Sequence, residues 1–329
     1  MVSVICPTFN EEKYIKSCIE SILAQDYPKD DLEVIFVDGM STDNTRSIIS
    51  SYQSQYHFIK LIDNPHRIVP HAMNTGIKNA KGQIIIRIDA HTLYQPDYFT
   101  VLSKRLLELD ADNVGVVCKT DVLNKTPKTL AIKEVLSNKI GVGNSMFRIG
   151  IDEVQEVDTV PFGCWKREVF DKYGLYDVRL VRNQDIELNK RIKRGGGKIF
   201  IVPDTYCTYL ARETFRALSK NNYANGKWNI LTVFYTHNLG SLSIRHFIPL
   251  LFVLALTTPL LLALVYSPLV FVSLLALTLY IVVIGGVSVN LALKKKLNPL
   301  LLIAAFICLH ISYGCGSLVA ILKLPFIKR

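Results

Sequence analysis

The sequence predicts an α/β domain with a mainly parallel mixed sheet, followed by C-terminal membrane helices. Three observations carry this. Up to residue 117, short apolar runs alternate with helical stripes, the pattern of strands joined by crossover helices. All acidic side chains lie before Thr214, so residues 1–213 are electrically neutral and the net charge of +10 comes from the remainder. Residues 247–293 then contain no Asp, Glu, Lys or Arg.

Residues 2–6 read as a buried strand stopped by Pro7-Thr8. Over 11–25, Ile15, Cys18, Ile19, Ile22 and Leu23 share one stripe, which predicts a helix packed on a sheet. A strand at 33–37 ends at Asp38-Gly39, and Asp43 is placed to cap a helix offering Thr45, Ile48, Ile49 and Tyr52. Strands follow at 57–62, 84–88 and 114–117, with helices at 69–79 and 97–109. After 117 the alternation decays around Gly141, Gly143 and Gly150. Order resumes over 158–170, then in a helix opened by 182–187 and a strand at 198–202 ended by Pro203.

The expected organisation is a catalytic domain over 1–210, a basic interfacial connector over 211–245 and a membrane domain over 246–329 with about three embedded segments. A crossing helix needs about 20 apolar residues. Segments 247–266 and 270–293 supply them, and 299–322 is long enough but carries His310, Ser312 and Tyr313. Arg245 and Lys294, Lys295 and Lys296 flank the apolar runs, which places the neutral domain on the cytoplasmic side. Anionic lipid headgroups account for this basic charge more simply than nucleic acid does. A third full crossing leaves Lys323, Lys328 and Arg329 outside, so a re-entrant or sharply kinked last segment is the alternative. Gly314, Gly316 and Ser317 predict close helix packing, within the chain or between copies. The opening MVSVICPTFN is too short and turn-rich for a signal peptide. The seven cysteines show no CxxC or zinc spacing and read as buried thiols of a reducing compartment.

Strand ends carry the polar groups: Pro7, Thr8 and Asn10, then Asp38, then Asp89. In open α/β sheets ligands bind at those ends. The first turn, PTFNEEKY, has no GxGxxG, and GxxxxGK[ST] is absent, which excludes those two modes of nucleotide binding. Asp89-Ala90-His91 offers an oxygen and a nitrogen to one divalent ion, Mg²⁺ or Mn²⁺. Equally, Asp89 caps a turn and His91 is an ordinary surface histidine. Asp38 faces the same crevice, where a nucleoside fits. Asp185, near a helix start, is either an N-terminal charge stabiliser or a general base, with Glu187 the competing carboxylate. The basic, aromatic stretches 209–216 and 223–228 suit phosphate binding, an interfacial helix, or both.

Four stretches together resemble family 2 glycosyltransferases of the GT-A fold, of the membrane-anchored kind that builds bacterial exopolysaccharide, capsule or O-antigen units. They are VSVICPTFNEEKYIKSCIESILAQDYP, EVIFVDGMSTDNT, NTGIKNAKGQIIIRIDAHT, and FGCWKREVFDKYGLYD with RNQDIELNKRIKRGG. The layout is similar to that of the succinoglycan-type glucosyltransferases, over about residues 1–230. The resemblance implies a GT-A nucleotide-sugar-binding domain in which Pro7, Thr8, Asn10 and Glu11 line the base pocket and Asp38 contacts the base. It makes Asp89 and His91 the DxD-type element, with Asp89 facing donor ribose or phosphate and His91 ligating Mn²⁺ or Mg²⁺. Asp185 becomes the general base, with Gln184 in place of the usual preceding acid. Trp165 falls where relatives shape the acceptor pocket, and Arg212 and Lys227 where processive synthases carry QxxRW. The chain has YANGKW instead, which argues against processive extrusion.

The implied function is inverting transfer of a hexose from a UDP-linked donor to a polyprenyl-diphosphate-linked saccharide at the bacterial inner membrane. Two alternatives stand beside it: transfer directly to polyprenyl monophosphate, and a non-catalytic sugar-binding membrane protein.

Overall fold

In the computed structural model, which describes residues 1–327, the chain runs β1 (Val2–Thr8), α1 (Ile15–Leu23), β2 (Leu32–Asp38), α2 (Thr45–Gln53), β3 (Ile59–Asp63), α3 (Val69–Asn79), β4 (Ile84–Arg87), β5 (Thr92–Tyr94), α4 (Tyr98–Glu108) and β6 (Asn113–Asp121). It continues through α5 (Pro127–Leu136), α6 (Lys139–Val142), α7 (Met146–Ile149), β7 (Gln155–Glu156), β8 (Cys164–Lys166), α8 (Glu168–Tyr173), α9 (Gln184–Arg194) and β9 (Ile199–Leu210). The helices α10 (Phe215–Thr236), α11 (Ile248–Leu262), α12 (Val270–Lys295) and α13 (Pro299–Lys323) complete it. Lys328 and Arg329, part of the expected C-terminal charge, lie outside the described residues.

The chain forms two units, Met1–Lys119 with Met146–Leu210, and Thr120–Ser145 with the chain from Ala211 onward. This differs from a boundary drawn only near residue 210.

The first unit is built on one sheet of strand order β3-β2-β1-β4-β8-β6-β9-β5, with β7 beside β9. It is a mixed sheet, and less parallel than the sequence suggests. Parallel pairing covers β3, β2, β1 and β4, whereas β8 runs antiparallel to β4 and β6, and β9 antiparallel to β5 and β7. The three-residue β8 returns antiparallel between β4 and β6. Side chains alternate across the sheet. Val2, Val4 and Cys6 pack with α1, α2 and α4 on one face, while Ile5 packs with α3, α8 and α9 on the other. The N-cap of α2 is Asn44 rather than Asp43, and its side chain makes no cap hydrogen bond; Asp43, one residue earlier, accepts from the Thr45 N–H at 3.0 Å through Oδ1.

A buried carboxylate ties the parallel strands together. Glu33 of β2 accepts from Ser3 Oγ at 2.5 Å and Lys60 Nζ at 2.7 Å, and from the Lys81 backbone. Burial pushes its pKa up, but these donors outweigh it and hold the group below the ordinary range.

The second unit gathers α5, α10, α12 and α13. Ala131, Ile132 and Val135 of α5 pack with Leu218, Ile284, Leu302, Ala305, Phe306 and Leu309. Segment 211–245 is therefore no surface connector along its length. Its helix α10 buries Leu218, Asn222, Gly226 and Asn229, and a Cβ on Gly226 would stand 1.9 Å from the Tyr313 carbonyl oxygen. Ser317 Oγ donates to the Gly226 carbonyl at 2.9 Å, and a Cβ on Gly314 would lie 2.2 Å from the Pro249 carbonyl oxygen. Packing within the chain thus accounts for the small residues of α13.

Two helical segments, Ser267–Lys295 and Pro299–Phe326, are long and apolar enough to cross a membrane. The first apolar segment is shorter than expected. At 15 residues, α11 spans about 22 Å, less than the hydrocarbon thickness. The last is one continuous 25-residue helix, neither re-entrant nor broken. Its polar groups are satisfied without breaking the backbone ladder: Ser312 donates to the Cys308 carbonyl at 2.5 Å, and His310 meets Tyr280 Oη and the Ile140 carbonyl, each at 3.0 Å.

The depressed Glu33 carboxylate contributes stability above its unfolded pKa, and that contribution is lost as pH falls through the lower folded value. Denaturant unfolding of Glu33→Gln is expected to show a shallower loss of stability than wild type below about pH 4.5.

Candidate active site

The parallel strands end side by side. The register sets Thr8 opposite Asp38, and Ile5 opposite Arg87. Arg87 closes β4 and is 3 % exposed. A buried guanidinium demands partners, and two carboxylates meet it. Its Nε and Nη2 each donate to Asp89 Oδ1 at 3.2 Å, and Nη1 stands 2.9 Å from Asp185 Oδ1. The second contact is electrostatic rather than directional, since neither atom reaches hydrogen-bond geometry. Burial alone would lower the Arg87 pKa, but Asp185 and Asp89 drive it well above its ordinary value. The Tyr176 hydroxyl is buried nearby, its own pKa raised by burial. Tyr94 Oη fixes the Asp89 backbone, accepting from its N–H at 2.7 Å.

Asp185 sits in the first turn of α9, whose N-cap, Asn183, adopts the left-handed conformation at φ 62°. One turn further on, buried Asn189 locks the helix to the sheet. Its Oδ1 accepts from Asn113 Nδ2 at 2.8 Å, while its amide donates to Thr159 Oγ1 at 2.8 Å and the Val160 carbonyl at 3.0 Å. Residues four apart lie on one helix face, so this network also fixes where Asp185 stands. Glu187, the rival carboxylate, is 5 % exposed and bound by Arg191 at 3.0 and 2.6 Å.

Beside Asp89 opens a cleft of about 130 Å³ lined by Pro7, Thr8, Phe9, Glu11, Asn64, Arg67, Ile68, Val69, Ala72 and His91. His91 Nδ1 lies 3.1 Å from Glu11 Oε1, and its ring packs edge-on against Tyr14 and Tyr209. Asn10 does not line the cleft. It is exposed at φ 55°, and its Oδ1 accepts from the Thr42 N–H at 2.9 Å, tying the first loop to the second. Asp38 is fully buried and already engaged by the Ser41 N–H at 2.8 Å, Ser41 Oγ at 2.5 Å and Arg46 Nη1 at 2.8 Å. It braces the turn after β2, and contact with a base requires one of these donors to let go.

Asp89 and His91 line the same cleft and offer an oxygen and a nitrogen, a chemistry that suits Mn²⁺ or Mg²⁺. Among the described residues no group of three or more His, Cys, Asp or Glu could hold an ion by itself. Such sites rely on one or two protein ligands and substrate phosphates, and this donor set fits that pattern.

Other expected residues fall elsewhere. Trp165 is completely buried, packed on Phe170 and Tyr176, and does not line the cleft. Gln184, 7 % exposed, opens α9 beside Asp185. Arg212 and Lys227 belong to the second unit, Arg212 exposed with Nη2 3.4 Å from Asn221 Oδ1, and Lys227 half-buried on α10. Arg87, Asn64 and Arg67 carry no role in the sequence reading. For Arg87 the signal was an arginine within the otherwise apolar run IIIRI.

A mixed sheet flanked by helices, with carboxylates gathered where the parallel strands end, is the GT-A architecture of nucleotide-sugar transferases. Residues 3–174 match the family described as Glycosyl transferase family 2, and the chain belongs to that family. It is 26% identical over 335 residues to the succinoglycan biosynthesis protein ExoA of Rhizobium meliloti, covering 95% of this chain and 92% of that one. It is 29% identical over 231 residues to the dolichyl N-acetyl-alpha-D-glucosaminyl phosphate 3-beta-D-2,3-diacetamido-2,3-dideoxy-beta-D-glucuronosyltransferase of Methanococcus voltae, covering 68% of this chain and 71% of that one. In fold it is similar to the mannosyltransferase PcManGT from Pyrobaculum calidifontis in complex with GDP-Man and Mn²⁺, with a TM-score of 0.61 at 19% identity over 98% of this chain and 87% of that one.

Removing the Arg87 charge leaves two partly buried carboxylates uncompensated. Arg87→Met is expected to lower unfolding stability by about 3 kcal/mol, read by denaturant titration. A loss below about 0.5 kcal/mol would show that the ion pairs carry no structural weight.

Proposed function

We propose that this protein transfers a hexose, with inversion, from a UDP-linked donor to a lipid-linked saccharide in the synthesis of a surface polysaccharide. The observation that carries the reading is the guanidinium of Arg87, which Asp185 shares with Asp89, a residue that lines the cleft. The first loop and the Asn64–Ala72 segment enclose the nucleotide. Asp89 and His91, with Glu11 beside them, would hold a divalent ion, which when bound supplies positive charge to the donor diphosphate. Asp185 takes the proton of the acceptor hydroxyl. That oxygen bonds to the anomeric carbon as the bond from this carbon to the diphosphate breaks, and nucleoside diphosphate leaves with the electron pair. A single displacement inverts the anomeric centre.

A lipid-borne acceptor agrees with the two membrane-length helices and with the lipid-linked sugar phosphate named for the methanogen relative. Basic Arg245, Lys294, Lys295 and Lys296 at the ends of the apolar segments support a reading in which the first unit works on the cytoplasmic side of the inner membrane.

Membranes carrying the protein, supplied with radiolabelled UDP- or GDP-sugars and defined lipid acceptors, test donor and acceptor class together. Asp185→Asn is expected to keep donor binding and lose roughly 10²–10⁴-fold in turnover. Near-normal turnover would remove Asp185 as the base. Excess chelator is expected to abolish transfer and added Mn²⁺ or Mg²⁺ to restore it; undiminished transfer in chelator overturns the metal role.

A further inference from the structure

Arg148 lies on the short helix α7 in the first unit, and the mechanism above gives it no task. Its guanidinium carbon stands 5.4 Å from the centre of the Tyr209 ring, and that ring packs against the His91 imidazole with centroids 5.7 Å apart. The β5–β9 register makes the contact: Thr92, next to His91, is opposite Tyr209. Neighbouring Phe147 packs against both cores of the sheet and pins the turn that carries Arg148. The cation is thus one ring away from a residue that lines the cleft.

Its surroundings do not satisfy it. Nη1 is buried and has no hydrogen-bond partner; the guanidinium stands over the rings of Phe147 and Tyr209 and lies near the Cys118 thiol. A desolvated guanidinium N–H without an acceptor is destabilising, and an anion reaching it removes the penalty. The anion expected next to His91 is a phosphate, and a planar fork of N–H groups is well matched to phosphate oxygens.

We propose that Arg148 binds the diphosphate of the nucleotide sugar and takes up the charge that develops there as the bond to the anomeric carbon breaks. This rests on the donor-binding reading above. No proton moves to or from Arg148. The electron pair of the breaking bond goes to the β-phosphate oxygen, and the guanidinium donates hydrogen bonds to the resulting nucleoside diphosphate. On this proposal the contact is made to the β-phosphate, which a nucleoside monophosphate lacks.

Binding of UDP and of UMP to the full-length protein in detergent, at fixed Mn²⁺, tests this directly. For Arg148→Gln the preference for UDP over UMP is expected to shrink roughly 10-fold or more, with turnover falling alongside. Arg148→Lys, which keeps the charge, is expected to retain part of that preference. UMP serves as the control for folding, because a variant with a damaged cleft loses both nucleotides in proportion. An unchanged UDP-to-UMP ratio in Arg148→Gln overturns the proposal. If the wild-type protein binds neither nucleotide and transfers no sugar, the donor reading itself fails and takes this one with it.

Discussion

A cation buried inside a sheet has to be neutralised where it stands, and that requirement organises this protein. Arg87 ends a central strand with its guanidinium out of solvent, so Asp89 and Asp185 must both come to it. The two carboxylates belong to segments almost a hundred residues apart. Bringing them to one group fixes the start of α9 against the end of β4, and the Asn113–Asn189 contact holds the same helix one turn on. The two cores keep the sheet stiff enough for these angles to persist.

Much of the first unit was legible because its signals are local. Apolar runs at β1, β2 and β4 and the stripe on α1 report burial directly, and Asp38 and Asp89 mark where those strands stop. What failed to show was whatever depends on distant partners. Three residues of β8 carry too little pattern to announce an antiparallel neighbour. Trp165 looks like a pocket aromatic until its three-dimensional neighbours, Phe170 and Tyr176, enclose it. Asp38 reads as an available carboxylate, although Ser41 and Arg46 already use it. Arg87 was visible as an anomaly in an apolar strand, but its partners lie two and ninety-eight residues along the chain, and only the second is non-local.

The apolar C-terminal portion misled in the opposite direction. Composition found its apolar runs but overstated the first one and invited a break in the last. Polar residues suggest a kink only when their hydrogen bonds disturb the backbone. In α13, His310 turns to Tyr280 and Ile140, while Ser312 folds back on its own helix, so the ladder survives. The glycines of α10 and α13 look like weak points in a helix, yet they are where two backbones come nearest.

Interleaving of the two units limits how the chain can be divided. Because Thr120–Ser145 belongs with the tail, a fragment ending at Leu210 keeps α5 but deprives Ala131, Ile132 and Val135 of Phe306 and Leu309. Such a fragment exposes a sticky apolar strip and should self-associate. For the same reason the tail is no interchangeable tether: grafting another one onto this catalytic half demands a rewritten α5 as well.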